Sequence, residues 1–370
     1  MILIACRTAD KKLDTSILYA QCQDTIDSIY TANPASIGIM VHVESPKHNI
    51  SWSGSSGYSN KDLKTKLYAD QPALVASCVK TYVSGTILRL QESGILTIED
   101  AISSHLTQET IQLFEKDGYD FDKIKIKHLL SHTSGIEDIK IRERLELVDK
   151  NKKHRWTRDE QLRLAVEKGD PLGKPEDVWN YADANYLLCT EIIESNTNKP
   201  FYTAMRELLK YEALGLRSTW FPTLENPIVA PKPMVHQYYG YMNWDSYNID
   251  PSFDLYGGGG LATTTEELAK FYYNLFQGNI IKDSSILNKI FTKITLSDGE
   301  DTRYFLGLGE GIINGYTYYM HGGFWATSVL YIPELETSIA LFILDMDKES
   351  LYTEIRSQII SQLRKHLNQN

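Results

Sequence analysis

Strand-like sequence lies near both ends of this 370-residue chain, and helix-like sequence fills most of the middle. β-Branched and aromatic residues are frequent in 35–44, 48–58, 316–320, 327–332 and 338–344. Because neither end has enough strands for a large sheet, the simplest arrangement joins both ends in one mainly antiparallel sheet. The sequence therefore predicts an α/β (α+β) fold, in which this sheet is flanked by helices and carries an inserted, mainly helical domain.

Helical periodicity supports this arrangement. Apolar residues recur at helical spacing in 14–31 and 349–367, which we expect to pack on the sheet. Two capping patterns, Thr157-x-x-Glu160 and Thr264-x-x-Glu267, are typical of helix starts within and after the middle region.

These patterns predict the domain boundaries. Residues 14–78 and 262–370 form the α/β sheet domain, and residues 79–261 form the inserted domain. Residues 1–13 are interpreted as a possible signal or lipoprotein remnant with a linker.

Composition excludes several functions. The chain has 38 Lys plus Arg against 48 Asp plus Glu, a formal charge of −10, and no basic stripe with interleaved aromatic residues, so we expect no nucleic-acid partner. No apolar run is long enough for a membrane span. The four cysteines are scattered without metal-ligand spacing, and we predict neither a bound metal nor a cofactor.

The first residues resemble the end of a bacterial lipoprotein signal. Ile2-Leu3-Ile4-Ala5 is apolar and places a small residue before Cys6, the position that is cleaved and lipidated in such signals. We therefore expect an exported protein, periplasmic or attached to the cell envelope, with a lipid anchor at Cys6. The alternative is a short apolar N-terminus without a targeting role.

Ser77 and Lys80 form the most informative short pattern. A lysine three residues after a serine shares one face of a helix with it, and a serine hydroxyl needs a base before it can attack a carbonyl. Apolar residues after Ser77 recur at helical spacing as far as Gly94, so Ser77 lies at a helix start. The alternatives are a capping serine with a surface lysine, or Cys78 as the nucleophile, which points about 100° away on a helix.

The helix start gives this pair a chemical role. The helix dipole favours an anion near Ser77 and disfavours a protonated Lys80. For Lys80 to act as the base, its pKa must fall well below its usual value of about 10.4.

His128 and His132 have the i, i+4 spacing of a metal-binding helix face. The glutamate that zinc hydrolases place between such histidines is absent, so we favour a structural role for this segment.

Four motifs together resemble a known family. ASCVKT in 76–81, IKHLLSHTSGI in 126–136, WNYAD in 179–183 and HGG in 321–323 occur in the order and approximate spacing of the β-lactamase and penicillin-binding-protein superfamily of serine hydrolases. The chain resembles the branch with class C β-lactamases, D-alanyl-D-alanine carboxypeptidases, D-aminopeptidases and esterases. The resemblance implies a β-lactamase/transpeptidase-like fold.

The resemblance also implies roles for the third motif. Tyr181 corresponds to the tyrosine that shares proton transfer with the motif lysine, as a phenol near an ammonium can. Asp183 replaces the usual asparagine, and an ionised aspartate cannot donate a hydrogen bond to a substrate carbonyl. Asp183 could orient Lys80, bind a substrate amine or cap the following helix.

The last motif implies the rest of the site. His321 would assist proton transfer or polarise the site, and Gly322 and Gly323 would allow substrate to approach the strand closely. Relatives carry a hydroxyl at the position of Gly322 that contacts a substrate carboxylate. By analogy, the backbone N–H groups of Ser77 and Phe324 form the oxyanion hole.

From these residues we predict a serine hydrolase that forms an acyl-enzyme on Ser77 and cleaves an amide or ester of a small acyl or peptide substrate. One alternative is a true class C-like β-lactamase or D-alanyl-D-alanine carboxypeptidase, which Asp183 and Gly322 disfavour. Another is a non-catalytic penicillin-binding or sensor module, which intact Ser77, Lys80 and Tyr181 disfavour.

Overall fold

The computed structural model describes residues 14–228 and 232–368. The predicted lipid anchor at Cys6 lies outside the described residues. In the two described stretches, no helix combines the length and apolar character that a bilayer span requires.

Eight helices lie between β4 and β7, and a helix is the first and the last element of the described residues. The helices are α1 (Ser16–Ala32), α2 (Val79–Glu92), α3 (Gln108–Glu115), α4 (Ile126–Leu130), α5 (Ile141–Lys150), α6 (Arg158–Lys168), α7 (Asp183–Thr197), α8 (Phe201–Leu208), α9 (Tyr211–Leu214), α10 (Thr265–Phe276), α11 (Ser284–Leu287) and α12 (Leu351–Asn368). The strands are β1 (Gly38–Ser45), β2 (Ile50–Asn60), β3 (Thr65–Lys66), β4 (Ala73–Leu74), β5 (Tyr238–Tyr239), β6 (Trp244–Asp245), β7 (Ala262–Thr263), β8 (Gly309–Ile313), β9 (Tyr316–Gly323), β10 (Thr327–Ile332) and β11 (Thr337–Ile343).

Seven strands from both ends of the chain form one antiparallel sheet in the order β3-β2-β1-β11-β10-β9-β8. The N-terminal and C-terminal parts meet where β1 pairs with β11, with Ile39 opposite Ile343. The predicted fold class, a sheet built from both termini with helical sequence between them, is confirmed.

Each face of the sheet has its own apolar core, because side chains alternate along a strand. On β1, Ile39, Val41 and Val43 face the layer that contains α1 and α12, whereas Met40 packs with residues of α2 and α10 in the larger core. All eight residues of β1 are buried, as expected for a strand that is covered on both faces.

The capping patterns mark helix starts as predicted. Thr157 accepts a hydrogen bond from the N–H of Glu160 at the start of α6, and the Glu160 side chain reciprocates. Thr264 caps α10 through the N–H of Glu267. The sequence patterns did not indicate β8, in which two of the five residues are glycines. The predicted domain boundaries stay a prediction.

The sheet and the helices meet at the end of β9. The short strand β4 leads into α2, and β7 pairs with β4 from the far end of the helical segment. Because Thr327 of β10 donates a side-chain hydrogen bond to the Val75 carbonyl, the start of α2 is tied to the sheet.

Two isoleucines in the same sheet test this core. Ile339 in β11 is 2% exposed between the sheet and its outer helices, whereas Ile312 in β8 is 78% exposed. Ile339→Ala should lower the free energy of unfolding by about 2–5 kcal/mol, because it removes buried methyl groups and leaves a cavity. Ile312→Ala should change it by less than about 0.5 kcal/mol. Urea denaturation measures both, and similar losses would contradict this placement of β11.

Candidate active site

Ser77 lies in a single 3-10 turn, Ala76–Cys78, directly before α2. Its neighbours Ala76 and Cys78 are buried, whereas Ser77 is half-buried. Ala76 has φ 43°, a left-handed conformation that is unfavourable for a residue with a Cβ and is frequent at functional sites. The turn therefore presents the Ser77 hydroxyl at the start of a helix, as predicted.

Lys80 is fully buried, and its ammonium group has three hydrogen-bond acceptors. Nζ lies 3.1 Å from Oγ of Ser77, 2.7 Å from Oδ1 of Asp183 and 2.7 Å from the carbonyl oxygen of Gly258. An ammonium has three N–H donors and no acceptor, so each of its protons has a partner. This geometry is that of a protonated lysine.

The electrostatics of the site agree with this geometry. Burial alone would lower the pKa of Lys80, but the negative charges of Asp183 and Asp254 outweigh burial, and the pKa is raised above its usual value. The lowered pKa that Lys80 needs in order to act as the base is therefore not found here, and its pKa is raised instead. An aspartate at position 183 is the main reason, since asparagine would bring no charge.

The Asp183 carboxylate lies between two cations. Oδ1 accepts from Lys80, and Oδ2 accepts from Arg144 at 3.1 Å. Burial favours its protonated form, but Lys80 and Arg144 outweigh burial and hold the pKa of Asp183 well below its usual range. Of the three predicted roles, orientation of Lys80 agrees with this geometry. At the start of α7 the Ala184 N–H instead donates to Asp138.

The backbone of Gly257 to Gly260 lies against the charged groups of the site. A Cβ on Gly258 would lie 3.3 Å from Cγ of Asp183, and a Cβ on Gly259 would overlap with the carboxylate of Asp254. Gly257 and Gly260 have φ of 98° and 76°, which favour glycine. The run therefore lets the backbone approach both carboxylates and brings the Gly258 carbonyl to Lys80.

Asp254 is a buried carboxyl group beside this run. Burial and the negative charge of Asp183 raise its pKa, Lys80 and Arg144 oppose them, and the result is a pKa of about 7. Asp254 therefore changes charge near neutral pH.

Tyr181 lies next to Lys80 and Ser77. Nζ of Lys80 is 4.9 Å from the centre of the Tyr181 ring. Desolvation raises the pKa of Tyr181 to about 12, although the Lys80 charge and hydrogen bonds with Lys80 and Ser77 lower it. The phenol is therefore neutral at rest and is the nearest group that can exchange a proton with both.

The His132 ring packs against the ring of Tyr181. The two rings are 4.2 Å apart and tilted by 34°. Nδ1 of His132 accepts from the Ala182 N–H and lies 3.3 Å from the side-chain nitrogen of Asn185. Burial and the Lys80 charge hold the pKa of His132 well below its usual value, so the ring is neutral. The IKHLLSHTSGI motif thus contributes to the site through the contact between the His132 and Tyr181 rings. Its other histidine, His128, pairs with Glu176.

His321 on β9 is buried and neutral. Burial and the Lys80 charge lower the pKa of His321 to about 3. Nδ1 donates to the carbonyl of Gly322 at 2.7 Å, which leaves Nε2 to accept from the Tyr304 hydroxyl at 2.9 Å. Both ring nitrogens are therefore engaged, and His321 offers no positive charge to a substrate.

The two glycines of the last motif differ in their surroundings. A Cβ on Gly323 would overlap with the Val75 carbonyl oxygen, so glycine allows β9 to lie against the Ser77 turn. A Cβ on Gly322 would find its nearest atom 3.8 Å away, which is an ordinary contact. Packing therefore explains Gly323 but does not exclude a side chain at Gly322.

Phe324 follows β9 directly. Its ring packs against four aromatic rings, with centres 5.1–6.4 Å away, namely those of Tyr239, Trp244, Phe253 and Trp325. This cluster fixes the backbone at the predicted oxyanion position.

Cys78 does not compete with Ser77. It is fully buried, its Sγ lies 3.5 Å from the His321 carbonyl oxygen, and burial raises the pKa of the thiol to about 12. A thiol in this environment stays protonated and unreactive.

Sequence reasoning missed three residues of this site, Arg144, Asp254 and Tyr304. The segment around Arg144 is rich in charged residues, which is typical of an exposed helix. Arg144 is nevertheless only 8% exposed, because the fold buries it. The aspartate at position 183 could have indicated these residues, because a buried carboxylate beside a lysine is usually accompanied by further cations or acids. The four glycines were a second signal.

The comparison with protein families decides which family this site represents. A family model described as Beta-lactamase matches residues 38–361. The chain belongs to the beta-lactamase family. The resemblance drawn from the four motifs is thereby confirmed.

Individual members of the beta-lactamase family are distant from this chain. Penicillin-binding protein 4* of Bacillus subtilis (strain 168) is 24% identical over 277 residues, which cover 68% of this chain and 55% of that protein. The chain spans about half the length of the first curated relatives it matches.

Solved structures share the fold. A D-stereospecific amidohydrolase from Streptomyces sp. has a TM-score of 0.73 at 23% identity, covering 88% of this chain and 94% of the other. The D-amino acid amidase from Ochrobactrum anthropi SV3, complexed with L-phenylalanine amide, has a TM-score of 0.77 at 19% identity, covering 96% and 99%.

Asp254 makes stability depend on pH in a defined direction. Between pH of about 4 and 7 the unfolded chain has lost this proton and the folded chain keeps it, so this group's contribution to stability falls as pH rises through that window. Asp254→Asn removes the titration. The melting temperature of Asp254→Asn relative to wild type should therefore increase from pH 5 to pH 8.

The exposed carboxylate Asp298 provides the control. Asp298→Asn should give a melting-temperature difference that stays nearly constant from pH 5 to pH 8. A constant difference for Asp254→Asn as well would show that Asp254 does not titrate near neutral pH.

Proposed function

We propose that this chain is a serine hydrolase that forms an acyl-enzyme on Ser77 and hydrolyses an amide or ester bond. The observation that carries the proposal is the contact of the buried Lys80 ammonium with Oγ of Ser77, beside the Tyr181 phenol. A buried cation on a serine hydroxyl, at a helix start and next to a second proton-exchanging group, is an arrangement suited to nucleophilic catalysis.

The proton inventory defines the first step. With Lys80 protonated and Tyr181 neutral, neither group can accept the proton of Ser77. The Lys80–Tyr181 pair must first release one proton. Because the two groups titrate together, the proton that remains is shared between the amine and the phenol. In that form Tyr181 or Lys80 takes the Ser77 proton as Oγ attacks the carbonyl. We therefore propose an active form that becomes populated on the alkaline side of neutral pH.

The following steps return the proton. The carbonyl oxygen becomes an oxyanion, for which the backbone N–H groups of Ser77 and Phe324 are the proposed donors. The Lys80–Tyr181 pair then protonates the leaving nitrogen or oxygen, and the bond to the acyl group breaks. Water attacks the acyl-enzyme by the same route in reverse, which releases the acid and restores the Ser77 hydroxyl.

The charges of the site favour substrates without a carboxylate beside the scissile bond. Asp183 is occupied by Lys80 and Arg144, so it neither donates to a substrate carbonyl nor is free for a substrate amine. His321 is neutral and Gly322 has no hydroxyl. We propose small acyl compounds or peptides, and the amidase relatives favour amides of amino acids among them.

A β-lactamase or D-alanyl-D-alanine carboxypeptidase remains the second candidate, supported by penicillin-binding relatives. Its substrates carry a carboxylate that this site does not provide for. Hydrolysis of a chromogenic cephalosporin faster than of amino acid amides and p-nitrophenyl esters would favour this candidate.

Export is the remaining part of the proposal. It is supported by the apolar residues before Cys6 in the sequence. Metabolic labelling with a fatty-acid analogue tests the lipid anchor, and Cys6→Ala should abolish that label.

Ser77 labelling is the decisive experiment. Incubation with a fluorophosphonate should add one phosphonyl group to the wild-type chain, as measured by intact mass, because Oγ attacks phosphorus with loss of fluoride. Ser77→Ala should remove the adduct. Cys78→Ala should keep it, since that thiol is buried and protonated. An equal adduct on Ser77→Ala, or none on wild type, would refute the acyl-enzyme mechanism.

Gly322 tests the substrate argument. Gly322→Thr should raise the rate of Ser77 acylation by a penicillin by about ten- to a hundredfold, because a hydroxyl bonded to a carboxylate contributes roughly 1.5–3 kcal/mol. Gly322→Ala is the matched control, as it adds a Cβ in the same open space without the hydroxyl. Equal rates for the two variants would mean that a missing hydroxyl does not limit penicillin recognition here.

A further inference from the structure

Arg144 is a buried arginine that sequence motifs do not explain. It lies on α5 and is 8% exposed. Nη1 donates to Oδ2 of Asp183 at 3.1 Å, and Nη2 donates to Oδ1 of Asp138 at 2.6 Å. The guanidinium is thus fixed between two carboxylates, one of which holds Lys80.

These contacts form one continuous path to the nucleophile. The Ala184 N–H donates to Asp138, Asp138 accepts from Arg144, and Arg144 donates to Asp183. Asp183 in turn accepts from Lys80, whose ammonium contacts Ser77. Each oxygen of Asp183 has its own cation, so its position is set from both sides. A carboxylate with two fixed partners on different helices has little freedom to rotate.

Arg144 also accounts for the unusual aspartate. An asparagine at position 183 has one carbonyl oxygen and an NH₂ group, so it cannot accept from Arg144 and Lys80 through two oxygens. If its oxygen faced Lys80, its NH₂ would face the guanidinium of Arg144, donor against donor. The presence of Arg144 therefore selects aspartate at this position.

We propose that Arg144 is a positioning residue for acyl transfer, which holds one oxygen of Asp183 so that the other keeps Lys80 against Ser77, and which closes position 183 to the substrate. This inference rests on the proposed function. Arg144 acts through Asp183 and Lys80, and it does not contact Ser77.

The charges around Asp183 predict a pH signature. The groups that face it are Lys80 from α2, Arg144 from α5 and Asp254 from the turn Pro251–Asp254. Tyr181, His132 and His321 also lie close to it, and all three are neutral. Asp138 faces Arg144 from the other side. Removing the positive charge of Arg144 leaves Asp183 to stabilise the Lys80 ammonium more strongly. Removing the negative charge of Asp183 has the opposite effect. The two changes should thus move the alkaline activation of the site in opposite directions.

The experiment uses the full chain and measures the second-order rate of fluorophosphonate labelling at Ser77 from pH 5 to pH 10. Arg144→Met should lower the rate at pH 7 by about tenfold or more, since a small misplacement of the reacting groups is costly, and should move the rising limb to higher pH. Asp183→Asn should move the limb to lower pH.

The double variant and a conservative variant separate positioning from packing. In Arg144→Met/Asp183→Asn the rising limb should lie between those of the single variants, because the two changes of charge have opposite effects on the Lys80 ammonium. Arg144→Lys keeps the positive charge but loses the guanidinium, whose two ends bond the two carboxylates. Its labelling rate should therefore fall by less than that of Arg144→Met, and the rising limb of its pH profile should stay near that of wild type. Melting temperatures report whether each variant is folded.

The outcomes are distinct. Labelling of Arg144→Met at the wild-type rate with an unmoved limb overturns the positioning role, whereas no labelling of wild type overturns the proposed function instead. If Arg144→Met does not fold, Arg144→Lys decides. A folded Arg144→Lys that is labelled at the wild-type rate at every pH then overturns the positioning role, because the site would not depend on the guanidinium geometry.

Discussion

The structure depends on a buried ammonium group. Removing a lysine charge from water costs several kcal/mol unless each N–H finds an acceptor. For Lys80 the acceptors are a hydroxyl, a carboxylate and a backbone carbonyl, and they come from the start of α2, the start of α7 and the glycine run before β7. Three parts of the chain that are far apart in sequence must therefore meet at Nζ of Lys80. The helical segment packs around α2 and brings them together.

Other features of the site follow from that charge. Asp183 compensates Lys80 but introduces an anion, which Arg144 compensates in turn. Asp254 is a further acid beside these cations, and with a pKa of about 7 it keeps its proton only below neutral pH. Glycine is required at position 259, where a Cβ would overlap with the Asp254 carboxylate, and it relieves a tight contact with Asp183 at position 258. The cluster is a single electrostatic unit, so a change at any member alters the others.

Much of the fold could be predicted from local sequence. Strand-like and helix-like segments have distinct periodicities, and capping at Thr157 and Thr264 is decided within a few residues. A single sheet built from both ends of the chain followed from the strand-like segments near each end, although the pairing of β1 with β11 was not predicted. Motifs then supplied Ser77, Lys80 and Tyr181. The protonation state of Lys80 could not be predicted, since it depends on Asp183, Arg144 and Asp254, whose proximity only the fold creates. For the same reason Tyr304 had no local signal.

The pairing of β1 with β11 also governs when the molecule can fold. During synthesis β1, β2 and β3 leave the ribosome early, yet β11, which pairs with the other edge of β1, is the last of the described strands to emerge. Until then β1 has an open edge, and its apolar faces lack the helix α12. Long-range pairings of this kind form slowly and expose strand edges to other chains. A chain with this topology therefore keeps one edge of β1 unpaired until its C-terminal strands have been synthesised.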